Sequence, residues 1–151
     1  MEPDWSSLES AARAALPRAY APYSRFAVAS AIQFADGAIV AGVNVENASY
    51  PLSLCAERAA VAAGIAGGHG QVRAVLVLTD AAEPTPPCGG CRQVLAEHGT
   101  PDVPVRSLTL QGRTAEHQLG ALLPDAFRPE SLDRRNPPRL GTYGKPPPHE
   151  V

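Results

Sequence analysis

The sequence is short of the features that would place it in several large classes. Of its 151 residues, 13 are Lys or Arg and 15 are Asp or Glu, a net charge of −2. Lysine occurs once, at Lys145. A protein whose affinity rests on neutralising many phosphates needs a basic excess, and there is none. The Arg134, Arg135 and Arg139 group is small and terminal. Apolar runs are interrupted by Gly, Asp or Arg well before the ~18–20 residues of a membrane span. The opening Met-Glu-Pro-Asp-Trp has neither the basic nor the apolar region of a secretory signal. A soluble, cytoplasmic protein is expected. What is present suits one compact domain: 44% of residues are apolar and 19% charged, enough to build a core and too few charges for a disordered chain.

Cysteine is scarce as well, and informative for that reason. Three are present, Cys55, Cys88 and Cys91, an odd number that a closed disulfide framework would not normally leave. Two of them form Pro87-Cys88-Gly89-Gly90-Cys91. In a reducing compartment such thiols are more often metal ligands or catalysts than bridges.

Periodicity places these residues. Asp4 to about Tyr20 carries apolar residues at helical spacing with Asp4 as N-cap, and Pro17 predicts an end or kink near Leu16. Phe26 to Phe34 and Ala38 to Val45 read as strands joined by Ala35-Asp36-Gly37, a hairpin signal. Residues 44–54 are polar and turn-rich. Ala56 onward is rich in helix formers and stops at Gly67-Gly68. Val72 to Leu78 reads as a buried strand and 84–87 as a Pro-rich loop. Cys88 to His98 then reads as a helix with Gly99 past its end. Val103 to Leu110 is another strand, and a weaker one follows near 114–118. This order predicts a layered α/β domain with helices covering a mixed sheet. Residues 134–151 hold five prolines and few large apolar groups, so the domain is expected to occupy 1–133 and to be followed by a Pro-rich tail.

Both cysteine segments therefore stand at helix starts. Three thiolates with a fourth position left for water are what a catalytic zinc ion requires. Cys88 and Cys91, spaced i,i+3, can face one point from a first helical turn. Three thiolates leave the ion with net negative charge, which two helix N-termini would offset. Arg58 and Arg92 would offset it further by donating to the sulfurs. Glu57 and Cys55 converge only if Cys55 lies at the cap, outside helical dihedrals. A carboxylate there can take a proton from water and deliver protons to a substrate nitrogen and a leaving amine. The alternatives are weaker. A redox Cys-x-x-Cys leaves Cys55 unexplained, and a structural zinc site needs a fourth protein ligand. His69, His98 and His117 lack matching spacing for that role.

A ligand-x-Glu segment paired with Pro-Cys-x-x-Cys is the zinc-deaminase signature. Four blocks extend the likeness: Ala-Pro-Tyr-Ser-Arg-Phe at 21–26, Gly-Val-Asn-Val-Glu-Asn at 42–47, Cys-Ala-Glu-Arg at 55–58 and Pro-Cys-Gly-Gly-Cys-Arg-Gln at 87–93. Leu-Leu-Pro-Asp-Ala-Phe at 122–127 is similar too. The chain thereby resembles the small, single-domain cytidine deaminases that assemble as homotetramers, over about Leu8 to Leu132.

The resemblance implies a three-layer α/β/α sandwich with a mixed five-stranded sheet. It also implies zinc-dependent hydrolysis of cytidine and 2′-deoxycytidine to the uridines plus ammonia, a pyrimidine-salvage reaction, with one zinc per subunit. On it, Cys55, Cys88 and Cys91 match the zinc ligands and Glu57 the proton shuttle. Phe26 matches the aromatic packed on the nucleoside, Asn44 and Glu46 the pair on the ribose 3′-hydroxyl, and Ala56 the N–H given to the base carbonyl. Tyr50 and Phe127 match positions that reach a neighbouring subunit's site. Two departures bear on substrate preference and fine packing: Ala29 stands where the family usually has Gly, and Ser30 brings a hydroxyl to an apolar position. Rival readings are a deaminase for another cytosine-bearing substrate, a polynucleotide editor and a non-enzymatic zinc module. The Asn44 and Glu46 pair favours ordinary nucleosides over the first, and the missing basic surface opposes the second.

Overall fold

The computed structural model describes residues 2–132; the Pro-rich tail lies outside the described residues. Helix α1 spans Trp5–Ala15, with Asp4 accepting the Ser7 N–H at its N-terminus. It tightens into a 3-10 turn at Leu16–Arg18, where Pro17 forbids a further α-helical hydrogen bond. Strands β1 (Val28–Phe34) and β2 (Ile39–Val43) form the expected hairpin. Gly37 at φ 89° supplies the left-handed residue of its turn. Helix α2 (Ala56–Ala66), β3 (Val72–Thr79), α3 (Gly89–His98), β4 (Pro104–Thr109) and β5 (Thr114–Gln118) follow, then a single turn, α4 (Leu119–Leu122). Among the described residues no helix is long and apolar enough to cross a membrane.

The sheet order is β2-β1-β3-β4-β5. Only the β3–β4 pair is parallel; the other three are antiparallel, so the sheet is mixed. Strand alternation gives each face its own core. Ala29, Ala31, Leu76 and Leu78 meet Leu8 and Ala12 of α1 and Leu16 of the turn after it on one face. Ile32, Phe34, Val75 and Val77 meet Ala60, Val61 and Leu95 of α2 and α3 on the other. Helices thus cover both faces in three layers. Ala29 adds its methyl to the α1 side, and the buried Ser30 hydroxyl donates to the Leu76 carbonyl at 3.0 Å, so neither departure leaves a hole or an orphan.

Two boundaries differ from expectation. β1 begins at Val28 rather than Phe26 because the Val28 N–H goes to the Asn44 side chain, 2.9 Å away, and not to a strand. Phe26 therefore belongs to the preceding loop. β2 stops at Val43 because Val45 pairs with Leu54 and neighbours Tyr20 in isolated bridges.

One contact fixes where α2 starts. A Cβ built on Gly42 of β2 would lie 2.4 Å from the Ala60 nitrogen and 2.6 Å from the Ala56 carbonyl oxygen. The first turn of α2 rests directly on bare strand backbone. Since both neighbours are main chain, a methyl there must displace the helix. Gly42→Ala is expected to destabilise the fold by about 1–3 kcal/mol or more, measurable by urea unfolding; unchanged stability would show that the helix start tolerates movement.

Candidate active site

Two helix N-termini meet at one point. Cys55 caps α2 with extended dihedrals (φ −75°, ψ 153°), and Cys88 caps α3 in the same way (φ −65°, ψ 165°). Cys91 lies one turn into α3, buried. The three sulfurs lie within 4.8 Å of one another. Cys55 Sγ is 3.9 Å from Cys88 Sγ, which is 3.5 Å from Cys91 Sγ. Tetrahedral ligation with Zn–S near 2.3 Å places sulfurs about 3.8 Å apart. The donor set therefore fits zinc in distance and in kind. Among the described residues the cluster contains no histidine; His69, for instance, pairs with Asp36 at 2.7 Å.

Electrostatics point the same way. Burial, then the Glu57 charge and the other two thiols, push the Cys91 thiol well above the ordinary range. Burial raises Cys55 as well, against hydrogen bonds from Cys91 and Arg58. Burial also works against Cys88, but hydrogen bonds from the Cys91 main chain and from both other thiols outweigh it and hold Cys88 low. Three crowded sulfurs beside a carboxylate repel one another when ionised, and a divalent cation is the partner that relieves this.

The two arginines behave differently from each other. Arg58 Nη2 donates to the Ser53 carbonyl at 2.9 Å and to Cys55 Sγ at 3.8 Å. Arg92, expected to donate to a sulfur, gives Nε to the Pro87 carbonyl at 2.7 Å and Nη1 to the Leu122 carbonyl at 2.8 Å. Those two carbonyls lie within reach of its planar fork, so it ties the loop before Cys88 to the end of α4.

Glu57, the second residue of α2, is 5% exposed. Because Cys55 is the cap, the two side chains turn to the same side. Burial raises the Glu57 carboxyl above its ordinary range, against hydrogen bonds from its own N–H and the Cys91 thiol and the Arg58 charge. Glu57, Cys55 and Cys88 open on a cavity of about 250 Å³ that Phe26, Asn44 and Glu46 also line. Ala56 lines it too, at the first position of α2, where main-chain N–H groups lack helical partners.

Asn44 and Glu46 also hold the loop around Phe26. Asn44 Nδ2 donates to the Phe26 carbonyl at 2.8 Å, while its Oδ1 accepts Val28 N–H. Glu46 Oε1 accepts the main-chain N–H groups of Tyr23 and Ser24, both at 3.1 Å. Burial raises the Glu46 carboxyl, but the hydrogen bonds from Ser24 and Tyr23 outweigh it and keep the group ionised to lower pH than usual. Thr79, Thr85 and Pro86 line the cavity as well and were not foreseen; a strand end and a Pro-rich loop carry no chemical motif to mark them. Tyr50 and Phe127 line no part of it, and stand 70% and 57% exposed. A larger cavity, about 710 Å³, lies by the C-terminal ends of α2 and α3, near His69 and His98, away from the sulfurs.

Residues 4–107 match the family model for the cytidine and deoxycytidylate deaminase zinc-binding region. A cytidine deaminase of Halalkalibacterium halodurans is 45% identical over 115 residues, 76% of this chain and 87% of that protein. One of Mycobacterium tuberculosis is 44% identical over 131 residues, 87% of this chain and 95% of that protein. The crystal structure of cytidine deaminase from Burkholderia pseudomallei superposes with a TM-score of 0.78 at 43% identity, covering 83% of this chain and all of that one.

Replacing any one of Cys55, Cys88 or Cys91 by alanine is expected to drop bound zinc from about one ion per chain to almost none and to lower the melting temperature, because metal binding contributes to folding. Metal analysis together with calorimetry checks this; a variant that retains full zinc would remove that cysteine from the ligand set.

Proposed function

The chain belongs to the cytidine and deoxycytidylate deaminase family, and on that premise we infer that it hydrolyses cytidine and 2′-deoxycytidine to uridine and 2′-deoxyuridine, releasing ammonia. The observation that carries this reading is the cluster of Cys55, Cys88 and Cys91 set against one cavity that the buried Glu57 lines together with Phe26, Asn44 and Glu46.

Cys55, Cys88 and Cys91 would hold zinc, which supplies the Lewis acidity that makes water a nucleophile near neutral pH. The remaining work falls to the chain. Phe26 packs against the nucleoside, and the Ala56 N–H donates to the base carbonyl. Asn44 and Glu46 each retain hydrogen-bonding capacity beyond the loop contacts above, and take the ribose 3′-hydroxyl. Glu57 removes a proton from water as oxygen bonds to C4 and passes it to N3. It then moves the proton of the new C4 hydroxyl to N4, and the C4–N4 bond breaks with ammonia leaving. A buried carboxyl close to its own hydrogen-bonding partners suits both directions of transfer. Arg58 steadies Cys55, and Arg92 steadies the loop before Cys88.

The same reading makes the protein a homotetramer in which Tyr50 and Phe127 complete a neighbour's cavity. Supporting it is an apolar surface beside the site, including Tyr20, Val45, Tyr50 and Leu52, all exposed in the single chain, of a kind that marks an interface. Tyr50 meets Tyr23 edge-to-face at 5.8 Å. The catalytic machinery is assigned to residues 1–133 and none of it to the tail. A reducing, cytoplasmic setting suits three thiols that must stay reduced to bind metal.

Glu57→Gln is expected to keep zinc and fold while kcat falls by ~10²–10⁴-fold, since an amide cannot carry the proton. An ultraviolet assay with cytidine and deoxycytidine checks it, and wild-type turnover in the zinc-loaded variant would sink the assignment. Phe127→Ala is expected to raise KM roughly tenfold or more if its ring is buried against substrate. A fully active monomer in sedimentation would contradict the shared site.

A further inference from the structure

The loop that carries Phe26 is held by single hydrogen bonds, with Asn44 and Glu46 and from Arg25 N–H to the Ala21 carbonyl at 3.0 Å. Residues 22–26 are exposed, and no strand ladder reaches them, since β1 begins at Val28. Arg25 sits at φ 57°, a left-handed conformation that non-glycine residues keep only where neighbouring contacts impose it. One contact spans that residue: Ser24 Oγ accepts the Phe26 N–H at 3.0 Å. Ser24 also faces Glu46. Its main-chain N–H lies 3.1 Å from Oε1 and 3.3 Å from Oε2, so the carboxylate holds the backbone of the residue whose hydroxyl holds Phe26.

We propose that Ser24 is a positioning residue that links the Glu46 carboxylate to the Phe26 main chain, so that the sugar end of the cavity sets the aromatic at its base end. This rests on the assignment of Glu46 to the sugar and Phe26 to the nucleoside made above. The path is continuous: the Glu46 carboxylate accepts Ser24 N–H, Ser24 Oγ accepts Phe26 N–H, and the Phe26 carbonyl accepts Asn44 Nδ2. A ligand hydroxyl shared by Asn44 and Glu46 therefore touches the groups that anchor the Phe26 backbone from both sides. Without the Ser24 hydroxyl, Phe26 N–H loses its partner, and the turn keeps only the Arg25 N–H to Ala21 bond and the Asn44 bond to the Phe26 carbonyl. The ring then occupies its packing position for only part of the time, and apparent affinity falls by that fraction. Glu57 and the cysteines sit on α2, α3 and their caps, outside this path, so turnover of bound substrate is retained.

The test is steady-state kinetics on zinc-loaded wild type, Ser24→Ala, Ser24→Thr, Phe26→Ala and the double variant Ser24→Ala/Phe26→Ala, with melting temperatures alongside. Loss of a hydrogen bond of this kind is expected to raise the KM of Ser24→Ala about two- to tenfold, with kcat within about twofold. Threonine, which keeps the hydroxyl, restores KM. In the double variant the serine change adds little, because an absent ring needs no placing. Wild-type KM in Ser24→Ala, no rescue by threonine, or full additivity would overturn the proposal. Phe26→Ala separates the two levels of the argument. If it raises KM while Ser24→Ala does not, the Ser24 role alone is wrong; if it leaves KM unchanged, the reading beneath falls and the proposal with it. Should the alanine variant not fold, Ser24→Cys keeps the size and weakens the bond to Phe26 N–H, and the same comparisons apply.

Discussion

Three sulfurs held at two helix starts are the constraint around which the rest of the chain is arranged. Thiols in such proximity are unfavourable neighbours once ionised, and burial makes Cys55 and Cys91 harder still to ionise. Helix N-termini and the Arg58 guanidinium offset part of that cost, and a divalent cation offsets the remainder. The fold must therefore bring the starts of α2 and α3 together and keep them there. It does so with sheet backbone. Gly42 lets the first turn of α2 lie on β2 with no side chain between them, and α2 and α3 share the core over Ile32, Phe34 and Val77. Arg92 adds a clamp from α3 to the carbonyl just before Cys88.

Cys55 at the cap has a second effect. In a regular helix, residues i and i+2 point to different sides. Because Cys55 has extended dihedrals, its sulfur and the Glu57 carboxyl open on the same cavity. The carboxyl proposed to carry the proton and a sulfur of the candidate metal cluster are thus placed by one local backbone choice rather than by distant loops.

The sequence was most legible where chemistry and local geometry coincide. Cys55, Glu57, Cys88 and Cys91 stand out by residue type and spacing, and the hairpin by Asp36-Gly37. The N-cap at Asp4 and the helix ends at Gly67 and Gly99 follow from cap rules. Less was legible where a residue's partner is remote. Nothing local says that Arg92 prefers the Leu122 carbonyl to a sulfur, because that partner lies 30 positions away. Val28, and not Phe26, opens β1 because Asn44, 16 residues on, takes its N–H. Thr79, at the end of β3, and Thr85, in the loop between β3 and α3, meet at the cavity only in the folded chain. The short helix α4 holds four residues, too few for any periodicity to show. Such features depend on tertiary placement, which composition and spacing do not encode.

The central claim is that these three cysteines and no other protein group ligate one metal, leaving a position for solvent. X-ray absorption at the zinc edge of the purified protein tests it most directly. The account predicts about three sulfur neighbours near 2.3 Å and one oxygen neighbour near 2.0–2.2 Å. Four sulfurs, or three sulfurs with an imidazole nitrogen, would describe a closed structural centre and contradict it.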